Sequence, residues 1–478
     1  MQNILINIAI IFVAIINLLL NVNNVYVIYF ALIVACFELY LWAKNEKNKR
    51  KINWAHPVPV FVLGYCIVYY QLPYCYLNGY DLPLYSSKVL FYPQNISYCI
   101  MLSIIGLASF FLGEEMSINL RYKNKIRVKK NEKNYSIRLE NFKKIVLIFV
   151  SIFFLLYIRS IGINSYFGFD YGSNLLIEKG LSRYFYFAYS LMLYLLILIE
   201  LARVIDLPNK SFLKYIENWD KLILFVTVVT LVPFLLSGDR GAYLQPLALI
   251  FVPYFLVVKP LNVFGASIII FTLSMVLAIV GDTRGRDSAS LYEAISSRLE
   301  SATTPAEWPT MELASSFGTF NIATGEFPEK YPYNNGMNTF YSVMGLFPFS
   351  SYFTEIERIN KENDYVLSSG LFFTNILTEG TFASGAGTSS LADIYMDYGP
   401  YGIPVILFMW GLFMGWICEK AIKDLTPVFV FLYAYYSYYG IYVNRSSFAF
   451  GFNNVLWVIV LFLIIDKFYL SQYVLKSE

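Results

Sequence analysis

The chain has 478 residues, of which 57% are hydrophobic and 14% charged, with a formal net charge of +3. A soluble domain carries about 25% charged residues, and apolar runs such as 3–20, 145–157 and 455–465 recur along the chain, so soluble classes are excluded. Five cysteines without a Cys-x-x-Cys, and a single histidine, give neither a disulfide framework nor a zinc site.

The periodicity and length of the apolar runs predict twelve transmembrane helices, at 4–22, 25–43, 58–73, 96–114, 145–162, 184–205, 222–237, 242–258, 263–281, 400–418, 426–442 and 451–470. The first is expected to be a retained span rather than a cleavable signal peptide. It has no basic n-region, and a second apolar run follows at once. The 41 Tyr and 41 Phe suit aromatic belts at the two membrane interfaces.

The loops set the orientation. Loop 44–51 carries five basic residues and loop 115–144 carries ten, and the Lys-bearing loops near 206–221, 259–262 and 419–424 fall on the same side of a twelve-span topology. That side holds 24 Lys and Arg against 12 on the other, so it is expected to be cytoplasmic, with both termini inside. The basic runs are thereby explained as positive-inside loops and give no support to a nucleic-acid role. The division expected is 1–281 with nine spans, 282–399 as a long extracytoplasmic loop with short helices, and 400–478 with three spans. The long loop is acidic, with 15 Asp and Glu against 6 Lys and Arg. Loops of such length are usually functional.

The arginines divide unequally. The inner side has 5 Arg and 19 Lys; the outer side has 8 Arg and 4 Lys. Arginine is the residue suited to bidentate contact with carboxylate or phosphate. Arg240 lies in Ser-Gly-Asp-Arg-Gly, between spans seven and eight. Arg284 and Arg286 lie in Gly-Asp-Thr-Arg-Gly-Arg-Asp beyond span nine, and Arg445 lies in Asn-Arg-Ser-Ser between spans eleven and twelve. All four are expected at one depth on the outer side. Boundary arginines also snorkel to headgroups and pair with neighbouring acids. As a set the four point to an anion-binding site.

A second constellation runs from Thr378-Glu379-Gly380 through Gly385-Ala386-Gly387-Thr388-Ser389-Ser390 to Asp393 and Asp397. Small residues open it, and a helix leading into span ten closes it. Ser389 or Ser390 is placed to cap that helix, whose free amides favour an anion. Asp393 and Asp397 are four apart and share a helix face. His56 lies on the inner side as a boundary residue. Walker A, His-Glu-x-x-His and Gly-x-Ser-x-Gly sequences are absent.

The segment GAGTSSLADIYMDYGPYG resembles the small-residue motif, of the GxSxxAExYxNFG type, of bacterial polysaccharide repeat-unit polymerases of the Wzy type. SGDRG at 237–241 is similar to their Gly-x-Arg hairpin, and Asn444-Arg445 to a late outer arginine. This sequence departs at Asp393, where Glu is more usual, and at Asp397, where Asn is. The resemblance implies an all-α membrane-embedded glycosyltransferase of GT-C-like architecture in the bacterial cytoplasmic membrane, with its active site on the extracytoplasmic side. It would join undecaprenyl-pyrophosphate-linked oligosaccharide units into O-antigen or capsular polysaccharide. Its partners would be the lipid-linked donor and acceptor and membrane lipids, with a chain-length regulator and a flippase as further candidates. It implies no cofactor and no metal. In such an enzyme a carboxylate takes the acceptor proton, the candidates being Asp393, Glu379, Asp239 and Asp282. Arg240, Arg284, Arg286 and Arg445 would hold pyrophosphate, and Tyr395 and Tyr398 would face sugar.

Two other readings share the layout. O-antigen ligases have many spans and one large outer loop but rely on an outer-loop His, which this chain lacks. A lipid-linked-oligosaccharide flippase or other transporter is expected to show repeats and broken helices around a midplane site, and no internal repeat is found.

Overall fold

The computed structural model describes residues 2–20, 25–119, 132–162, 181–207, 211–236, 240–270, 272, 303–347, 359–360, 365–366, 369–377, 387–447 and 452–470. These are overwhelmingly helical, with one two-residue antiparallel ladder pairing Ile359–Asn360 with Tyr365–Val366. Every predicted span except 263–281 coincides with a helix, and of 263–281 only 263–270 and 272 are described. Among the described residues six helices are long and apolar enough to cross a membrane: Tyr26–Asn48, Pro57–Leu77, Pro93–Ser117, Arg138–Ile161, Leu181–Val204 and Ser390–Asp424. In a bilayer every backbone polar group must be satisfied within the protein, so apolar runs of this length fold as helices.

The chain packs as two compact units. One comprises residues 1–121, 295–419 and 439–450. Its central helix is Ile96–Asn119, against which Gln2–Leu19 and Tyr26–Lys49 pack. The apolar residues of this helix run all round it, and Cys99, Ile100, Leu107, Ala108 and Phe110 are all fully buried, as that pattern requires. The Ser390–Asp424 helix crosses it through glycines. A Cβ on Gly411 would collide with the Phe110 carbonyl, one on Gly113 with the Phe408 carbonyl, and one on Gly415 with Ser117 Oγ. Gly411 and Gly415 are four apart, the small-xxx-small spacing that lets two helix backbones meet in a membrane.

Two helices of this unit are irregular, and each irregularity has a sequence cause. Within Pro57–Leu77 the stretch Ile67–Gln71 is a π turn. Pro73 has no N–H to give to the Tyr69 carbonyl, so the regular ladder cannot continue there and the helix widens. Within Ser390–Asp424 the helix breaks at Gly399, with φ 64° and ψ −159°, just before Pro400. Only glycine fits there, because φ is positive and a Cβ would lie 2.8 Å from the Tyr333 ring. The break separates a short buried helix, 390–398, from the apolar stretch predicted at 400–418.

The long loop is fastened to this unit by the Phe317–Glu326 helix. Asn321, fully buried, accepts the Tyr92 N–H at 2.8 Å and donates to the Tyr92 carbonyl at 2.7 Å. Burial and the Glu326 carboxylate, to which its hydroxyl donates at 2.6 Å, push the Tyr92 phenol up to about 12.

The other unit comprises 122–294, 420–438 and 451–478. Glu132–Ile161 and Phe452–Ile465 pack along Leu181–Val204, and Lys221–Leu236 along Arg240–Val257. One face of Glu132–Ile161 leaves Ile145, Ile148, Phe149, Ile152 and Leu155 exposed, as befits a lipid-facing helix. Buried Glu200 is compensated by the ion pair with Arg203, by Lys143 at 3.7 Å and by the Asp220 N–H at 2.9 Å. A buried carboxylate persists only with partners of this kind.

Candidate active site

Helix 390–398 begins where the small-residue segment ends. Ser389 flanks its first turn, its carbonyl accepting the Asp393 N–H at 3.0 Å. The N–H of Leu391 belongs to the first turn and has no acceptor within the helix. The phenol oxygen of Tyr69, on the π turn, accepts it at 3.1 Å. Ser390 Oγ lies 3.0 Å from the same oxygen, and the Tyr69 hydroxyl donates to the Asn444 carbonyl at 3.1 Å. A carbonyl only accepts, so the single phenolic proton goes to Asn444, and Ser390 is the donor to Tyr69. One buried hydroxyl therefore ties the start of the Asp393 helix to the turn Val443–Arg445.

Asn444 is fully buried, and its Nδ2 donates to the carbonyls of Gly440 at 2.9 Å and Phe61 at 3.3 Å. With its predecessor so fixed, Arg445 projects a half-exposed guanidinium whose Nη2 meets Glu312 Oε1 at 3.3 Å. Glu312 rides on the single turn Met311–Ala314, which packs on the π turn. Gln71 holds the approach to it, donating to the Pro305 carbonyl at 3.0 Å and accepting from Thr310 Oγ1 at 2.8 Å.

Asp393 is buried, and its Oδ1 accepts from Thr388 Oγ1 at 2.9 Å. It lies within electrostatic reach of the Tyr69 and Tyr439 phenols. Thr319 Oγ1 and Ser389 Oγ are hydrogen-bonded at 3.1 Å, which anchors the segment to the Phe317–Glu326 helix. A carboxylate, a guanidinium and a second carboxylate are thus carried on three elements that meet at the Ile67–Gln71 turn.

Asp397 has a different role. Its Oδ1 accepts the Asn338 N–H at 3.1 Å, and its Oδ2 accepts the N–H and hydroxyl of Thr339. It caps the Met337–Met344 helix, whose own flanking residue, Gly336, has no side chain to do so. Of the two tyrosines expected to face sugar, Tyr395 is buried among the rings of Tyr98, Phe320 and Tyr333. Tyr398 is exposed and packs beside Gly336.

Arg240 is the first residue of the Arg240–Val257 helix, and its side chain lies outside the described residues. Asp239, Asp282, Arg284, Arg286 and Glu379 lie outside them altogether. His56 flanks the Pro57–Leu77 helix and caps it, Nδ1 accepting the Val58 N–H at 3.2 Å. Among the described residues no three His, Cys, Asp or Glu side chains gather as a metal site.

Sequence reasoning did not single out Tyr69, Gln71 or Glu312. The available signal was Pro73 inside an apolar run, which predicts a distorted turn four residues earlier, at Tyr69.

Fold and site define a multi-pass helical membrane protein in which a small-residue segment enters a long helix beside a charged cluster. Within that class the chain belongs to the family described as O-antigen polysaccharide polymerase Wzy, whose model matches residues 3–478. None of the curated proteins and none of the solved structures compared with the chain matches it. Its activity is the polymerisation of lipid-linked oligosaccharide repeat units into O-antigen-type polysaccharide.

Proposed function

We propose that the chain is a glycosyltransferase of twelve spans and GT-C-like architecture. It acts at the outer face of the cytoplasmic membrane on two undecaprenyl-pyrophosphate-linked substrates. The terminal hydroxyl of a single lipid-linked unit attacks the anomeric carbon of the growing chain. A glycosidic C–O bond forms, the C–O bond to pyrophosphate breaks, and the electron pair leaves on undecaprenyl pyrophosphate. Asp393 takes the hydroxyl proton. Arg445 meets the charge developing on the leaving pyrophosphate, exchanging its Glu312 contact for phosphate oxygens. Arg240, Arg284 and Arg286 are assigned to pyrophosphate on their placement in the sequence, and Tyr398, being exposed, is the better sugar-facing candidate of the two tyrosines.

The observation that carries this reading is the Tyr69 link between the Asp393 helix and the Arg445 turn. It gives a general base and an anion-binding group one rigid support, as a positioned transfer requires. The test is reconstitution: purified protein in lipid, given synthetic pyrophosphate-linked repeat units and no other enzyme, yields a ladder of polymer. Failure of wild-type protein to extend them, or a ladder undiminished in Asp393→Asn, overturns the assignment.

A further inference from the structure

We infer that Tyr69 is a positioning residue for the polymerisation: its hydroxyl fixes the Asp393 helix relative to the Arg445 turn and so sets the spacing between proton acceptor and pyrophosphate ligand. The inference rests on the proposed roles of Asp393 and Arg445. Tyr69 is fully buried, so it touches neither solvent nor substrate directly. Its oxygen is hydrogen-bonded to polar groups of the site: the Leu391 N–H, the Ser390 hydroxyl and the Asn444 carbonyl. None of these comes from its own helix. Two lie at the start of the helix that carries Asp393, and the third is the residue before Arg445.

The π turn makes this possible. In a regular α-helix residue 69 would continue the ladder set by Pro57–Cys66; the wider turn at Ile67–Gln71 turns Tyr69 and Gln71 towards three segments distant in sequence. Gln71 holds the 305–310 stretch that leads to Glu312, and Tyr69 holds the other two. Loss of the Tyr69 hydroxyl leaves the Leu391 N–H and Asn444 carbonyl without that partner while the ring stays packed against Tyr65 and Phe320. The start of the Asp393 helix is then free to shift relative to Arg445. An error of about 1 Å in such a spacing is enough to slow a positioned reaction about a hundredfold.

The test is a double-mutant cycle on reconstituted protein, with kcat and KM for the pyrophosphate-linked repeat unit measured per folded molecule. Tyr69→Phe is expected to lower kcat about tenfold while KM moves less than about twofold. Ser390→Ala, which removes a donor from the same oxygen, gives a smaller fall in the same direction. Combined with Arg445→Lys or Asp393→Asn, Tyr69→Phe adds little further loss, because the groups act as a unit. A merely structural tyrosine would lower the yield of folded protein and the unfolding temperature and leave kcat per folded molecule in place. That result, or losses that multiply independently, overturns the inference about Tyr69 alone. Full activity in both Arg445→Lys and Asp393→Asn overturns the underlying active-site reading together with it.

Discussion

Asp397 Oδ2 accepts both the amide N–H and the hydroxyl of Thr339, each at 2.7 Å. The carboxylate is 1% exposed, and with the Asn338 N–H it satisfies the first free amides of the Met337–Met344 helix. Asp397 therefore joins the Met337–Met344 helix to helix 390–398, one turn beyond Asp393, the residue proposed as the base. The same junction explains two glycines. Side chains at Gly336 or Gly399 would strike the rings of Tyr398 and Tyr333.

The first prediction follows from that capping role. Asp397→Ala leaves two first-turn amides, the Asn338 one buried, without their acceptor and is expected to destabilise the protein by about 2 kcal/mol. Asp397→Asn keeps one acceptor oxygen and costs less. Thermal unfolding in detergent should show this order, while polymer formed per folded molecule stays close to wild type. A loss of activity per folded molecule as large as that of Asp393→Asn would place Asp397 in the chemistry instead.

The second prediction separates the candidate bases. Asp393→Asn keeps shape and the Thr388 contact but removes basicity, and removal of a general base typically slows a reaction about 10²–10⁴-fold. Asp239→Asn, Asp282→Asn and Glu379→Gln should each leave substantially more activity. Ladder formation on synthetic repeat units is the readout. Normal polymerisation by all four amide variants would remove every one of these carboxylates as the base.

Much of the fold was legible in the apolar runs because a bilayer admits one backbone solution for each run. Arg445 drew notice as a charge at the end of an apolar run, and Asp393 as an acid on a helix opened by small residues. Tyr69, Gln71 and Glu312 were harder to see. Tyr69 and Gln71 lie inside a predicted span, and their orientation depends on a helical irregularity that periodicity does not register. Glu312 is one of 15 acidic residues in the long loop, and only packing against the π turn distinguishes it. The predicted edge of the long loop at residue 399 fell on the Gly399 break, and the entry helix expected from the small-residue segment begins at Ser390. Helix geometry resumes on both sides of a single glycine, and hydropathy alone sees only the apolar side.

The third prediction concerns acid stability. Burial alone would raise the Asp220 carboxyl, but the Lys143 ammonium at 2.7 Å and the Leu222 and Ile223 amides reverse this and hold it below its ordinary 3.8. A carboxyl depressed by folding contributes stability above its unfolded pKa and loses it as pH falls through the folded value. Unfolding temperatures taken between about pH 6 and about pH 3 should therefore fall more steeply for wild type than for Asp220→Asn, which starts lower and lacks this titration. Parallel curves would show that Asp220 adds nothing to the acid limb.

The fourth prediction fixes orientation. Lys47 and Glu329 are both exposed, the first in the basic stretch 44–51, which the Tyr26–Lys49 helix enters and which is expected inside, and the second in the long acidic loop expected outside. Single cysteines at these positions, in a background without the five native ones, are to be treated in cells with an impermeant thiol reagent that has access to the periplasm. Glu329→Cys should label in intact cells and Lys47→Cys only after the membrane is opened. The reverse pattern would invert the topology and move the proposed site to the other face.

The last prediction concerns the arginines. Arg445 projects from a turn whose neighbouring residue is fully buried, so its backbone is fixed while its guanidinium remains half-exposed and reachable. Its Glu312 contact is a single ion pair between two half-exposed groups, a kind worth little in itself and easily exchanged for a doubly charged pyrophosphate. Lysine in its place keeps the charge but loses the planar fork that grips two oxygens at once. Arg445→Lys should therefore reduce polymer sharply with little effect on folding. Losing one preorganised contact to a developing charge costs on the order of 3 kcal/mol, roughly a hundredfold in rate. Arg240→Lys is expected to behave in the same way, and Arg358→Lys, in the middle of the long loop, to be nearly silent. Glu312→Gln distinguishes a competitor from a helper: if Glu312 only occupies the guanidinium between turnovers, its amide should lower KM for the lipid-linked unit and leave kcat near wild type. Normal expression with a normal ladder in both Arg240→Ala and Arg445→Ala would make these residues interfacial anchors and remove the proposed pyrophosphate site.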